Sequence, residues 1–177
     1  MGIYIKIAEE GMSFEESIAE GCKIWKGVAA NGTYNNLIHE LPLRLGAKEA
    51  VEILKEKGYI VGCISSGVSQ FFMEPFSQRL DLDFAYSNVL GEEDGTHNGE
   101  VKFIMGSKQK AETALELLSQ IGLDGKHLAS IGDGSNDIDL FRVSGFSIAF
   151  NPQSDAVSEE ASVTVRSKDL RSVLEYF

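Results

Sequence analysis

The sequence is poor in cysteine, positive charge and long apolar runs, and each shortage argues against a class of protein. Two cysteines among 177 residues, without metal-ligand spacing, argue against a disulfide scaffold and a zinc site. Lys and Arg number 16 against 27 Asp and Glu, and the net charge of −11 disfavours a nucleic-acid partner. Neither a bilayer-spanning apolar run nor a signal-peptide pattern is recognisable, so the expected location is the cytoplasm, without membrane binding.

Helical and strand patterns alternate from residue 47 onward, which predicts an α/β fold with a Rossmann-like parallel sheet. The expected domains are a small helical cap segment at residues 1–42 and an α/β core at residues 43–177. In the first of these, Ser13 and Glu16 have the spacing of a capping box. The predicted core elements are helices at 47–57, ending near 80, at 107–121 and at 169–176, strands at 59–65, 127–131, 147–150 and 162–165, and a hairpin of 84–90 with 101–105.

A glycine-rich acidic loop, Gly132-Asp-Gly-Ser-Asn-Asp137, follows the predicted strand at 127–131 and precedes a helical pattern. Parallel sheets bind ligands at the carboxyl ends of their strands, where Asp133 would offer the oxygen ligand that Mg²⁺ prefers. Gly-Asp-Gly and Ser-Asn-Asp are also ordinary turn sequences. A calcium loop is excluded, because Ile138 and Ser144 occupy the positions that need Gly and Glu.

Two further places gain meaning beside this loop. Ser65 ends a predicted strand, and the amides of Ser66 and Gly67 at the start of the next helix could hold phosphate oxygens. Lys108 and Lys110 occupy the first turn of a predicted helix, where the helix macrodipole disfavours cations. A lysine at such a position indicates either an anionic ligand or a solvated side chain.

Together these stretches resemble the haloacid dehalogenase-like superfamily, and most closely its phosphoserine phosphatase branch. Ile64-Ser-Ser-Gly67 is similar to the second motif of that family, Lys110-Ala-Glu-Thr-Ala-Leu115 to the third, and Gly132 to Asp137 to the fourth. The segments at 12–17 and 145–150 are similar as well, so the resemblance covers nearly the whole chain. It implies a Mg²⁺-dependent phosphomonoester hydrolase that acts on a small phosphorylated metabolite.

The resemblance also implies roles for particular residues. Asp133 would ligate Mg²⁺, and Asp137 would act with Lys110 at the catalytic centre by holding the lysine and the metal's coordination shell in place. Such a set suits a loose phosphoryl transition state, which a cation, a lysine and hydrogen-bond donors around the equatorial oxygens stabilise. The implied phosphate-binding residues are Ser65, Ser66, Gly67, Lys110 and Asn136.

The first motif of the family, Asp-x-Asp-x-Thr, is not found in the 177 residues. Its leading Asp is the family's nucleophile, and its second Asp is the general acid and base. Asp81-Leu-Asp83 has the spacing of the two carboxylates but follows the second motif, so a turn before Phe84 is the preferred interpretation. Gly21 stands where the family has an arginine that pairs with the substrate carboxylate, so phosphoserine is one candidate substrate among several.

Two explanations of the missing motif remain open. In the preferred one, the chain begins inside the cap, because Gly11 to Gly27 lines up with the family's cap helices. In the other, Ile3-Tyr-Ile-Lys-Ile7 is the first strand and Ala8 occupies the position of the nucleophile. The expected function is that of a phosphoserine phosphatase-like, Mg²⁺-dependent phosphomonoester hydrolase, which the 177 residues cannot perform without a nucleophile. The alternative is a pseudophosphatase that binds a phosphorylated metabolite or a partner protein.

Overall fold

The computed structural model describes residues 12–177, so both alternatives for residues 3–8 lie outside the described part of the chain. The elements in chain order are α1 (Phe14–Ile24), α2 (Asn35–Glu40), α3 (Ala47–Glu56), β1 (Gly62–Ser69), α4 (Gln70–Leu80), β2 (Phe84–Glu93), β3 (Thr96–Phe103), α5 (Ser107–Gln120), β4 (Ala129–Gly132), α6 (Ile138–Val143), β5 (Phe146–Phe150), α7 (Asp155–Glu160) and β6 (Val163–Val165). Short 3₁₀ turns lie at Gly125–His127, Ser135–Asp137 and Leu170–Tyr176. None of the described helices has the length and apolar character needed to cross a membrane.

The described chain divides into two compact units, each built from several stretches of sequence. The first contains residues 12–41, 63–81 and 85–106, and the second contains residues 42–62, 82–84 and 107–177. The predicted domain boundary between residues 42 and 43 stays a prediction.

The first unit combines a three-stranded sheet with helices α1, α2 and α4. The predicted capping box starts α1: the Ser13 hydroxyl accepts from the Glu16 N–H at 3.1 Å, and the Glu16 carboxylate accepts from the Ser13 N–H at 2.8 Å. The strand order is β1-β2-β3, and β2 and β3 form the predicted antiparallel hairpin. Asp94 and Gly95 connect them with φ angles of 50° and 73°, as a tight two-residue turn requires.

The second unit contains the predicted parallel sheet, in the order β4-β5-β6. Apolar residues pack against both faces of this sheet, as is usual for parallel sheets, and β5 is its central strand. One cluster is formed by Ile148, Phe150, Val165 and Val173, and the other by Phe141, Ala149 and Val157. The α/β class and the parallel arrangement predicted for this part of the chain are therefore confirmed.

The strand predicted at 59–65 has the wrong bounds, because β1 begins at Gly62 and continues to Ser69. Ahead of it, Val61 is bound by Asp83: the Val61 N–H donates to the Asp83 carboxylate at 2.8 Å, and the Asp83 N–H donates to the Val61 carbonyl at 2.8 Å. The Val61 N–H, with help from the Lys55 ammonium 3.1 Å away, holds the pKa of Asp83 below its ordinary value. Asp83 thus has a structural role beside the turn, in agreement with the preferred interpretation of Asp81-Leu-Asp83.

The later beginning of α4, at Gln70, corrects a second expectation. Ser65, Ser66 and Gly67 lie inside β1 and not at the start of a helix. Their amides therefore cannot use a helix N-terminus to hold phosphate, and any anion binding there depends on the local strand geometry.

Candidate phosphate and metal site

The loop that follows β4 in the second unit is shaped around the side chain of Asp137. β4 ends at Gly132, and a single 3₁₀ turn, Ser135–Asp137, leads into α6. A Cβ atom added at Gly132 would overlap the carboxyl group of Asp137. Glycine is needed at this position because the carboxylate folds back over the strand end.

Asp137 and Lys110 form a buried ion pair. The Lys110 Nζ lies 2.6 Å from the Asp137 Oδ1, and their side chains are 6% and 9% exposed. The Asp137 Oδ2 accepts from the backbone N–H groups of Asp133 and Gly134 at 3.0 and 3.1 Å. This one carboxylate therefore joins the first turn of α5 to the loop after β4, and it satisfies three donors.

Lys110 and Lys108 differ sharply in their surroundings, although both lie in the first turn of α5. The Lys108 side chain is 78% exposed and lies 3.8 Å from Glu112, so it is a solvated surface lysine. The Lys110 ammonium carries three N–H donors, of which Asp137 takes one among the described residues. The other two donors make no hydrogen bond within residues 12–177, so an anion could bind to them, and the buried setting would strengthen that interaction.

Asp133 lies at the surface of the loop and is held from the segment after β5. The Gln153 side-chain amide donates to the Asp133 Oδ2 at 2.8 Å, and the Gln153 N–H donates to the Asp133 carbonyl at 2.9 Å. Within residues 12–177, no hydrogen bond reaches the Asp133 Oδ1. The carboxylate is thus oriented by one oxygen while the other stays available to a ligand.

The donor set at Asp133 fits a hydrated Mg²⁺ ion. The described residues contain no cluster of three or more His, Cys, Asp or Glu side chains that could hold a metal. Mg²⁺ does not need one, since it keeps several waters and binds through one or two carboxylates together with substrate phosphates. Asp133 can serve as such a carboxylate, whereas Asp137 is occupied by Lys110 and two amides.

Asn136, the predicted phosphate contact of this loop, is half-buried next to Gly134. A Cβ atom at Gly134 would come within 2.6 Å of the Asn136 Oδ1, so the side chain lies close over the loop backbone. The second unit therefore brings together Lys110, Asp133, Asn136 and Asp137, four of the predicted site residues.

The remaining three predicted residues, Ser65, Ser66 and Gly67, belong to the first unit. The Gly67 N–H donates to the Ser65 hydroxyl at 3.3 Å, and Gly67 itself is exposed. Ser66 is 2% exposed, and its hydroxyl has no hydrogen-bond partner among the described residues. The predicted convergence of Ser65 with Lys110 and Asp133 stays a prediction, since each unit is described by itself.

Two residues with clear roles were not predicted from the sequence. Gln153 orients Asp133, and Asn88 binds the backbone on both sides of Gly67. The signal for Asn88 is its presence in a predicted strand, between Ser87 and Val89, where asparagine is disfavoured unless its amide is satisfied. No sequence signal distinguishes Gln153 from an ordinary loop residue.

Comparisons with known proteins identify the family to which the chain belongs. A family model described as haloacid dehalogenase-like hydrolase matches residues 94–177. A phosphoserine phosphatase of Albidiferax ferrireducens is 31% identical over 169 residues, covering 93% of this chain and 70% of that protein. A phosphoserine phosphatase of Haemophilus influenzae is 33% identical over 164 residues, covering 92% of this chain and 51% of that protein.

A solved substrate-bound phosphoserine phosphatase complex superimposes with a TM-score of 0.82 at 27% identity, covering 99% of this chain and 82% of that one. The fold is thus that of a haloacid dehalogenase-like hydrolase. The chain belongs to the haloacid dehalogenase-like superfamily, in its phosphoserine phosphatase-like branch. It spans about half the length of the Haemophilus relative.

Proposed function

We propose that this chain binds the phosphate group of a small phosphorylated metabolite together with Mg²⁺, as part of a phosphomonoester hydrolase of the phosphoserine phosphatase type. The observation that supports this most directly is the buried Lys110–Asp137 pair beside the Asp133 loop. A buried ammonium with donors that no described residue uses suits phosphate oxygens, and a buried carboxylate keeps that ammonium oriented.

Each residue has a role in this proposal. Mg²⁺, when bound, would neutralise charge on the phosphoryl oxygens and orient the group. Asp133 would ligate it in the orientation that Gln153 sets. Lys110 would bind the phosphate, Asp137 would hold Lys110, and Asn136 would contact the phosphate or its neighbouring atoms. In the first unit, the Ser65 hydroxyl and the Ser66 and Gly67 amides would supply further donors.

Binding without turnover is a second candidate for the 177 residues alone, and the missing Asp-x-Asp-x-Thr motif favours it. Covalent phosphoryl transfer needs a positioned nucleophile, and hydrolysis slows greatly without one even where metal and phosphate still bind. A soluble metabolite in the cytoplasm remains the proposed partner, and the charge of −11 supports neither nucleic acid nor an anionic membrane.

Thermal unfolding with Mg²⁺, inorganic phosphate and both together tests the binding proposal. We expect the pair to raise the melting temperature more than either alone, because ligands that bind only the folded state stabilise it. Asp133→Asn should remove most of the Mg²⁺ effect, whereas Asp139→Asn, on the adjoining α6, should retain it. Identical curves for the wild type and Asp133→Asn would refute the metal site.

Phosphate release from phosphoserine and other phosphomonoesters then separates the two candidates. Turnover that requires Mg²⁺ and disappears in Asp133→Asn would establish a hydrolase within the 177 residues. Binding without turnover would support the second candidate.

A further inference from the structure

Asn88 is a buried side chain that binds the backbone around Gly67 in the first unit. It lies on β2 and is 4% exposed. Its Nδ2 donates to the Ser66 carbonyl at 2.8 Å and to the Val68 carbonyl at 3.0 Å, while its Oδ1 accepts from the Met105 N–H at 2.8 Å. Both N–H donors and the oxygen of the amide are therefore used.

These bonds fix the direction of the Gly67 N–H. The Ser66 carbonyl and the Gly67 N–H belong to one planar peptide group and point in opposite directions. An amide that holds the carbonyl oxygen on one side of β1 therefore aims the N–H to the other side. In the structure this N–H reaches the Ser65 hydroxyl, so the donor and the hydroxyl lie on a common side.

We propose that Asn88 is a positioning residue for phosphate binding, which aims the Gly67 N–H and the neighbouring Ser65 hydroxyl at a phosphate oxygen. The inference rests on the proposed function. A preorganised N–H donor binds an oxyanion without the cost of reorienting the backbone. The hydrogen bond that Asn88 gives to the Ser66 carbonyl also polarises the peptide group and strengthens its N–H as a donor.

Gln70 offers a matched control. Its side chain is also an amide that binds the backbone, but it binds at Leu90 and not beside Gly67. Its Nε2 donates to the Leu90 carbonyl at 2.9 Å, and its Oε1 accepts from the Leu90 N–H at 2.9 Å. Gln70 thus attaches the start of α4 to β2, beyond the Ser65–Gly67 segment. Its loss should lower the stability of the unit without turning the Gly67 peptide.

The test measures the affinity for inorganic phosphate in the presence of Mg²⁺ by calorimetry, in the wild-type chain, Asn88→Ala and Gln70→Ala. We expect phosphate binding to weaken about tenfold in Asn88→Ala and less than about threefold in Gln70→Ala, since only the first variant misdirects a donor. In the wild type and in Gln70→Ala, adding phosphate should change the NMR chemical shift of the Gly67 amide proton. In Asn88→Ala this change should be lost. Asn88→Asp, which keeps the oxygen facing Met105 but not the two donors, serves if Asn88→Ala does not fold.

The possible results are distinguishable. If the wild type does not bind phosphate, the proposed function fails and the positioning role fails with it. If the wild type and Asn88→Ala bind phosphate equally, or if Gln70→Ala weakens binding as much, the positioning role alone is overturned.

Discussion

Replacing Lys110 by methionine measures what the buried ion pair contributes to stability. Lys110→Met keeps a long side chain but leaves the Asp137 carboxylate buried without its counter-ion, and breaking such a pair costs about 3–5 kcal/mol. The N–H groups of Asp133 and Gly134 still bind that carboxylate, so we expect the lower end, about 3 kcal/mol. With a urea slope near 2 kcal/mol per molar, the unfolding midpoint should fall by about 1.5 M.

Urea unfolding followed by circular dichroism provides the measurement, and Lys108→Met is the matched control. The Lys108–Glu112 pair is exposed, so its loss should cost less than about 0.5 kcal/mol. The double variant Lys110→Met with Asp137→Leu should lose less stability than the sum of the two single variants, because no unpaired charge remains. A cost for Lys110→Met no larger than that for Lys108→Met would refute the role given to the pair.

Three further predictions concern other residues. Gly132→Ala should cost about 1–3 kcal/mol in urea unfolding, because its methyl group meets the Asp137 carboxyl group, and no loss would contradict this. Ser66→Ala should leave the melting temperature unchanged or raise it, since the hydroxyl has no partner among the described residues, whereas a fall of several degrees would reveal one. Burial lowers the pKa of His97, so the unfolded state takes up the proton first and stability should fall as the pH drops from 6.5 towards the folded pKa. Thermal unfolding at several pH values should show this slope reduced in His97→Phe, and an unchanged slope would assign the proton uptake to another group.

The parts of the fold that the sequence predicts well are those set by local patterns. The capping box at Ser13 and Glu16 involves neighbours within a few residues. The hairpin was predicted with strands at 84–90 and 101–105, but its loop is shorter than expected, because β2 continues to Glu93 and β3 begins at Thr96. The loop from Gly132 to Asp137 is also local, because the glycine that makes room for the Asp137 carboxylate lies only five residues before it. Spacing alone is enough to recognise such features.

Features that depend on distant partners could not be predicted in the same way. Lys110 was equally compatible with a solvated position, and its partner Asp137 lies 27 residues further along the chain. β1 extends through Ser66 and Gly67, which are weak strand formers, while Asn88 binds that backbone from 20 to 22 residues away. Neither contact leaves a trace in the periodicity of the sequence.

The two units are built from alternating stretches of the sequence, which has a consequence for the newly made chain. All described residues of the first unit precede residue 107, whereas the second unit needs the last stretch, 107–177. At a synthesis rate of about 5–20 residues per second, residues 107–177 take roughly 4–14 s to add. During that interval the ribosome-bound chain already holds every described residue of the first unit, including Asn88 and the Ser65–Gly67 segment, while residues 42–62 still lack the parallel sheet of their own unit.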